Sequence, residues 1–286
     1  MLPVIFVASL KKALDRLSQE QVIEKFSGQL EKTTERIPGH FKEKDVHDWR
    51  VDYKKLRAFL RMITASVPDH MPHMTKEFKK IYKSAGSIRE LQLYLELIKS
   101  LPGNNIEKIP VYNSLLKKQL FATKEEFIKR TDIFSFEKEL ARWLVMPPDY
   151  LTVDIVKKFL QQRITAMRLI MLSPDNDESL HSFRKHLKDI IYNIRVFAVG
   201  WGIPFPVTAW KSEKKLNELA DELGNYNDRC TILNFVQSDY IDQLPADEKD
   251  IVLDLNVQWL REKKEQQEQI LMKLKDLQLL PSVKVI

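Results

Sequence analysis

Apolar residues recur at intervals of three and four along most of the chain, the spacing of one face of an α-helix. Sustained alternation of apolar and polar positions, the mark of half-buried strands, is missing, and no Asn-Gly or Asp-Gly dipeptide offers a hairpin turn. Proline and glycine punctuate the helical pattern at Pro38-Gly39, Pro68 to Pro72, Pro102-Gly103, Pro147-Pro148, Pro174 and Gly200 to Pro206. Between these breaks the pattern predicts helices of roughly 15 to 35 residues. The last runs from about Asp247 to Leu279, through strong helix formers and charges of both signs. The fold class is therefore all-α, a bundle of helices.

One stretch of this pattern occurs twice. HDWRVDYKKLRAFLRMI from His47 matches HSFRKHLKDIIYNIRVF from His181 at an offset of 134 residues, pairing His47 with His181, Arg50 with Arg184, Lys54 with Lys188 and Arg61 with Arg195. Downstream, AGSIREL around Gly86 matches LGNYNDR around Gly224 at an offset of 138, pairing Arg89 with Asn227 and Glu90 with Asp228. An internal duplication follows, with four-helix-bundle-like halves over about 10–146 and 150–280, a boundary near Met146–Tyr150, and one domain over 1–286. Gly86 and Gly224 read as helix terminators with Ser87 and Asn225 as caps, and Glu90 and Asp228 as acids at the start of the helices that follow.

His47, Arg50, Lys54, Arg57 and Arg61 step by 3, 4, 3 and 4 residues, so a helix places them within about an 80° arc. Val46, Trp49, Tyr53, Leu56, Leu60 and Ile63 form the neighbouring stripe and are predicted to face the core. The second copy repeats both stripes: His181, Arg184, Lys188 and Arg195 beside Phe183, Leu187, Ile190, Ile194 and Phe197, with Ile191 in the place of Arg57. Like charges at helical spacing repel, and few acids share the stripe: Asp48 and Asp52 point away, and Asp189 falls to the side. A solvated face, or salt bridges to other helices, is the ordinary explanation of one such stripe. Its recurrence favours another: two stripes related by a pseudo-twofold axis line a shared basic groove or pore, fit for a polyanion. Arginine offers bidentate contacts to phosphate, lysine a point charge, and histidine a donor that a nearby polyanion would protonate.

Charge and composition narrow the classes. The 286 residues carry a net charge of +6, and a single cysteine, Cys230, excludes an internal disulfide and any Cys-based zinc cluster. Seven glycines are about a third of the usual share of roughly 7%, which counts against glycine-rich nucleotide loops. No stretch is long and apolar enough to span a membrane. Met1–Leu10 is apolar but has no basic residues before it, so it is read as an element packed on the body of a cytoplasmic protein.

The paired H-x-x-R-x-x-x-K helices and the Gly-x-x-R/N-E/D segments resemble the CHAD family, named for its histidine-bearing α-helical domain, over roughly residues 10 to 280. The resemblance implies two four-helix units around a basic central pore, binding of inorganic polyphosphate, and association with polyphosphate granules. Carried onto this chain, the binding set is His47, Arg50, Lys54, Arg57, Arg61, His181, Arg184, Lys188 and Arg195, with Arg89, Lys76 and Lys214 as secondary candidates. The chain departs from the family in Glu90, where Asp is usual, and in Ile191. The strand pattern of the CYTH domain fused to many members is absent, so no hydrolytic activity of that kind is implied.

Other chemistry has weaker support. The six histidines include a loop pair, His70 and His73, and a pair five apart, His181 and His186; neither makes a metal site, and no cofactor is expected. No P-loop, Arg-His-Gly or Gly-x-Ser-x-Gly motif occurs, so a metal-dependent phosphoesterase ranks behind a non-catalytic binder. A nucleic-acid-binding module using the same groove is the main alternative, and other polyanions are further candidate partners. Single strands want exposed aromatics for stacking, and here only Tyr192 flanks the basic stripe.

Overall fold

The computed structural model describes residues 19–65, 73–100, 105–145, 152–174, 176–201, 213–236 and 240–276. Among them the regular elements are all helical. They are α1 Gln19–His40, α2 Glu43–Thr64, α3 Lys76–Ser100, the short α4 Asn105–Lys108, α5 Pro110–Asp132, α6 Phe136–Leu144, α7 Val153–Met171, α8 Asp177–Trp201, α9 Glu213–Val236 and α10 Ala246–Asp276, with a 3-10 turn at Ile241–Gln243 before α10. Met1–Leu10, the Met146–Tyr150 boundary and the breaks at Pro68 to Pro72, Pro102-Gly103 and Gly202 to Pro206 lie outside the described residues.

Local chemistry fixes several helix starts. Ser135 Oγ accepts from the Lys138 N–H at 3.2 Å and Thr152 Oγ1 from the Ile155 N–H at 3.3 Å, N-caps worth about 1 kcal/mol each. Helix α5 opens on Pro110 with no cap of its own. Glu248 of α10 supplies one instead: its carboxylate, 3% exposed, accepts from the Val111 and Tyr112 N–H groups, each at 2.9 Å. A carboxylate is favoured at the positive end of the helix dipole.

Two sequence expectations about boundaries are corrected. Pro38-Gly39 does not precede the end of α1 but sits in its last turn, and the chain reverses at Phe41, whose φ is 46°. Gly86 and Gly224 do not terminate helices: α3 and α9 run straight through them, which leaves Ser87, Asn225, Glu90 and Asp228 in mid-helix.

Helix α1 packs on α2, α2 on α3 and α3 on α5; likewise α7 packs on α8, α8 on α9 and α9 on α10. Between these two sets α2 meets α8 and α7, and α3 touches α9, while α6 covers α1. The two segments that repeat in the sequence are thus α2 and α8, packed on each other at the centre. Their predicted apolar stripes are buried: Val46, Trp49, Tyr53, Leu56, Leu60 and Ile63 in α2, and Phe183, Leu187, Ile190 and Ile194 in α8. The side chain of Phe197 is outside the described residues. Trp49 Nε1 donates to Thr34 Oγ1 at 2.7 Å, so the indole is buried with its polar atom satisfied. A second apolar cluster joins the C-terminal ends of α3 and α9 to the N-terminal ends of α5 and α10 around Tyr94, Tyr112 and Trp259. It holds the far ends of the bundle together.

Candidate functional site

The α2–α8 crossing is locked by Asn193, whose Nδ2 donates to the carbonyl of Ala58 across the interface at 3.3 Å and to that of Asp189 at 2.9 Å. The basic stripes flank this crossing. Arg50 Nη1 donates to the Gly86 carbonyl at 2.9 Å, and its guanidinium lies 3.6 Å from where a Cβ at Gly86 would stand. Arg184 approaches the next helix on the other side: its Nη2 lies 3.3 Å from the Cβ position of Gly224. Each repeated arginine therefore lies over a glycine in the next helix, α3 or α9. A glycine in mid-helix costs about 1 kcal/mol against alanine; at Gly224 it spares the Arg184 guanidinium a tight contact, while at Gly86 a methyl would meet Arg50 at an ordinary distance.

An aromatic floor completes the first side. Tyr82 of α3 stacks on Tyr53 with ring centroids 4.1 Å apart, and Arg50 and Arg57 stand 5.6 and 5.3 Å from its ring centre. Cation–π contact of this kind holds a guanidinium in place without neutralising it. Lys54 lies between. Burial, and then the charges of Arg50, Arg184 and Arg57, push its ammonium down to about 7 against the opposing pull of Asp228. Glu90 approaches from α3; burial raises its carboxyl, Asp228 adds to the rise, and Arg50 and Lys54 oppose it. Among the described residues no carboxylate oxygen lies within 4.0 Å of a side-chain nitrogen of Arg50, Lys54, Arg57 or Arg184. The Nε atoms of Arg57 and Arg184 are buried without a hydrogen-bond partner.

The remaining predicted residues are placed differently. His181 is paired through Nδ1 with the Asn227 side-chain oxygen, so the neutral ring keeps its proton on Nδ1 and offers Nε2 as a donor only once protonated. Burial first, then Lys185, Arg184 and Lys54, lower its pKa. His47 is exposed, with Nδ1 3.2 Å from Asp48. Arg61 donates to Asp189 at 2.5 Å, Lys188 to Asp221 at 3.1 Å, and the exposed Arg195 to Asn217 at 3.1 Å. Arg89 pairs with Glu43 at 2.9 Å. Lys76 and Lys214 are exposed at the starts of α3 and α9, the latter 3.9 Å from Glu218. The expected shortage of acids therefore holds for Arg50, Lys54, Arg57 and Arg184 and fails for Arg61 and Lys188. In particular, Asp189 does not fall to the side: it is 3% exposed and faces α2.

Sequence reasoning missed two members of this region. Tyr82 precedes Gly86 by one helical turn, a spacing that could have marked it once Gly86 was placed in mid-helix. Arg163 of α7, which adjoins Asp189, belongs to neither stripe. Among the described residues no helix is long and apolar enough to cross a membrane, and no three His, Cys, Asp or Glu side chains gather as metal ligands do.

The helical bundle itself has known relatives. The CHAD domain family model matches residues 21–237, and the chain belongs to that family. The crystal structure of the CHAD domain from the plant Ricinus communis is similar over 92% of this chain and 91% of its own, with a TM-score of 0.73 at 15% identity, a likeness of fold. Among curated proteins none matches the chain significantly.

Proposed function

We propose that the protein binds inorganic polyphosphate, without turning it over, in the basic groove at the α2–α8 crossing. One observation carries the reading: Arg50, Lys54, Arg57 and Arg184 converge from two helices with no carboxylate within 4.0 Å among the described residues. Like charges held together and half-buried cost folding energy, and a buried N–H without a partner costs about 1–3 kcal/mol. A chain of phosphates supplies what these groups lack, acceptor oxygens and negative charge at close intervals. Glu90 and Asp228 trim the positive charge rather than act on a substrate in this reading.

The form of the groove favours a plain phosphate chain over a nucleic acid. Tyr82, beside the first arginines, stacks on Tyr53 and carries Arg50 and Arg57 next to its ring. One face of this ring is thus taken by Tyr53 and is not open for stacking of the kind single strands use. Polyphosphate binding would also bring the protein to polyphosphate granules in a cell that makes them.

Reversing charge at two symmetric positions tests the site. Arg50→Glu with Arg184→Glu is expected to lower polyphosphate affinity by about a hundredfold or more, since each change removes a charge-assisted contact and adds repulsion. Helix content by circular dichroism should stay as in the wild type. Unchanged affinity in a folded double variant would place the binding surface elsewhere.

A further inference from the structure

The positive tract extends beyond its centre along the α2 stripe and off it onto α7. Arg163 of α7 holds its guanidinium carbon 4.5 Å over the Phe159 ring and donates from Nη1 to His186 Nδ1 at 3.3 Å. Arg57 and Arg61 approach from α2, and Lys185 from α8. Asp189 stands among them: Oδ1 accepts from Arg61, while Oδ2 is buried without a partner. The Nε atoms of Arg57, Arg61 and Arg163 are also buried and unpartnered. Four cations thus surround one carboxylate, and most of their charge is left over. Burial first, then Arg163, Lys185 and Arg61, push His186 down to about 4. The ring is therefore a neutral acceptor that orients Arg163 rather than a fifth cation. This end of the groove has no counterpart on the other side. The position equivalent to Asp189 is Lys55, which turns to Asp52 on its own helix at 2.8 Å.

We propose that Arg57, Arg61 and Arg163 form a second anion subsite, joined to the first through Arg57, in which Asp189 is a built-in counterion that competes with a phosphate group of the bound chain. The proposal rests on the polyphosphate reading above and adds to it a direction and a length requirement. Arg50 and Arg61 are eleven residues apart on α2, about 16 Å along the axis, so a ligand that engages both subsites is a long chain. Tripolyphosphate fits one.

The test compares long-chain polyphosphate with tripolyphosphate on the full-length wild type and on Arg163→Gln, Asp189→Asn and Arg184→Gln, with thermal unfolding of each as a folding control. Arg163→Gln is expected to weaken long-chain binding about tenfold, the worth of one charge-assisted contact, and tripolyphosphate binding far less. Asp189→Asn should tighten long-chain binding several-fold. Equal losses for both ligands in Arg163→Gln, or none, would overturn the second subsite, and unchanged or weaker long-chain binding in Asp189→Asn would overturn the counterion. Because Asp189 is buried, the half-exposed Arg163 keeps the test decisive if Asp189→Asn does not fold. Arg184→Gln separates the two readings: if it weakens both ligands, the polyphosphate reading stands whatever Arg163 does, and if it weakens neither, that reading itself fails.

Discussion

Lys54 stands with Arg50 and Arg57 on its own helix, Arg184 across the seam on α8, and Glu90 and Asp228 approaching from α3 and α9. Burial and the three guanidinia bring its ammonium down to about 7, well below its ordinary 10.5. The unfolded chain therefore holds this proton more firmly than the folded one, so Lys54 costs stability at neutral pH and the cost fades as pH rises from 7 towards 10.5. Lys54→Met is expected to stabilise the empty protein at pH 7 by about 1 kcal/mol or more, read as a higher Tm, while weakening polyphosphate binding. A lower Tm would show that the ammonium is not repelled in the groove. Binding has the opposite sign. A bound polyanion restores the proton, so affinity should fall as pH rises from about 7 to 10, approaching tenfold per unit where one proton is taken up. His181, whose pKa is lowered in the empty groove, adds a further gain in affinity on the acid side. Titrations from pH 6 to 10 check both slopes, and Lys54→Met should flatten the upper one.

At the scale of the helix, the glycines of α3 and α9 connect local propensity to the seam. Gly86→Ala puts a methyl at an ordinary 3.6 Å from the Arg50 guanidinium, so the helix should gain up to about 1 kcal/mol with affinity little changed. At Gly224 the added Cβ meets Arg184 Nη2 at 3.3 Å, and the guanidinium must give. Gly224→Ala is expected to gain less stability and to lose polyphosphate affinity several-fold, measured by denaturant unfolding and titration; identical behaviour of the two variants would deny the arginine–glycine contact a role. The apolar faces of α2 and α8 were legible in the sequence because burial of a helix face leaves a 3-4 period. The glycines were misread because helix termination is their commoner use, and the close approach of Arg184 to Gly224 comes from a neighbouring helix that spacing within one helix does not reveal. Asp189 was misjudged for the same reason: its partner Arg61 lies 128 residues away, and spacing within one helix says nothing of it. Arg163 shares no period with the stripe it joins.

For the molecule as a whole, helical periodicity with scarce glycine led to the all-helical class, and the doubled motif led to the CHAD family that the match over residues 21–237 shows. Which charges remain unneutralised at the centre needed three dimensions. Of the twelve basic side chains singled out in the sequence, seven settle onto Asp189, Asp221, Asn217, Glu43, Asp48, Asn227 or Glu218, Lys76 is exposed at the start of α3, and the four at the centre meet no carboxylate among the described residues. The net charge of +6 is modest, so on the proposed reading selectivity for a phosphate chain would come from this groove rather than from overall surface charge. The most direct test is a competition in which labelled long-chain polyphosphate is displaced by single-stranded DNA, RNA or heparin while salt is raised. A groove fitted to a phosphate chain keeps polyphosphate bound at about 0.15 M salt with competitors weaker by orders of magnitude. Equal competition by every polyanion, with binding lost by about 0.2 M salt as for a generic basic surface, would contradict it.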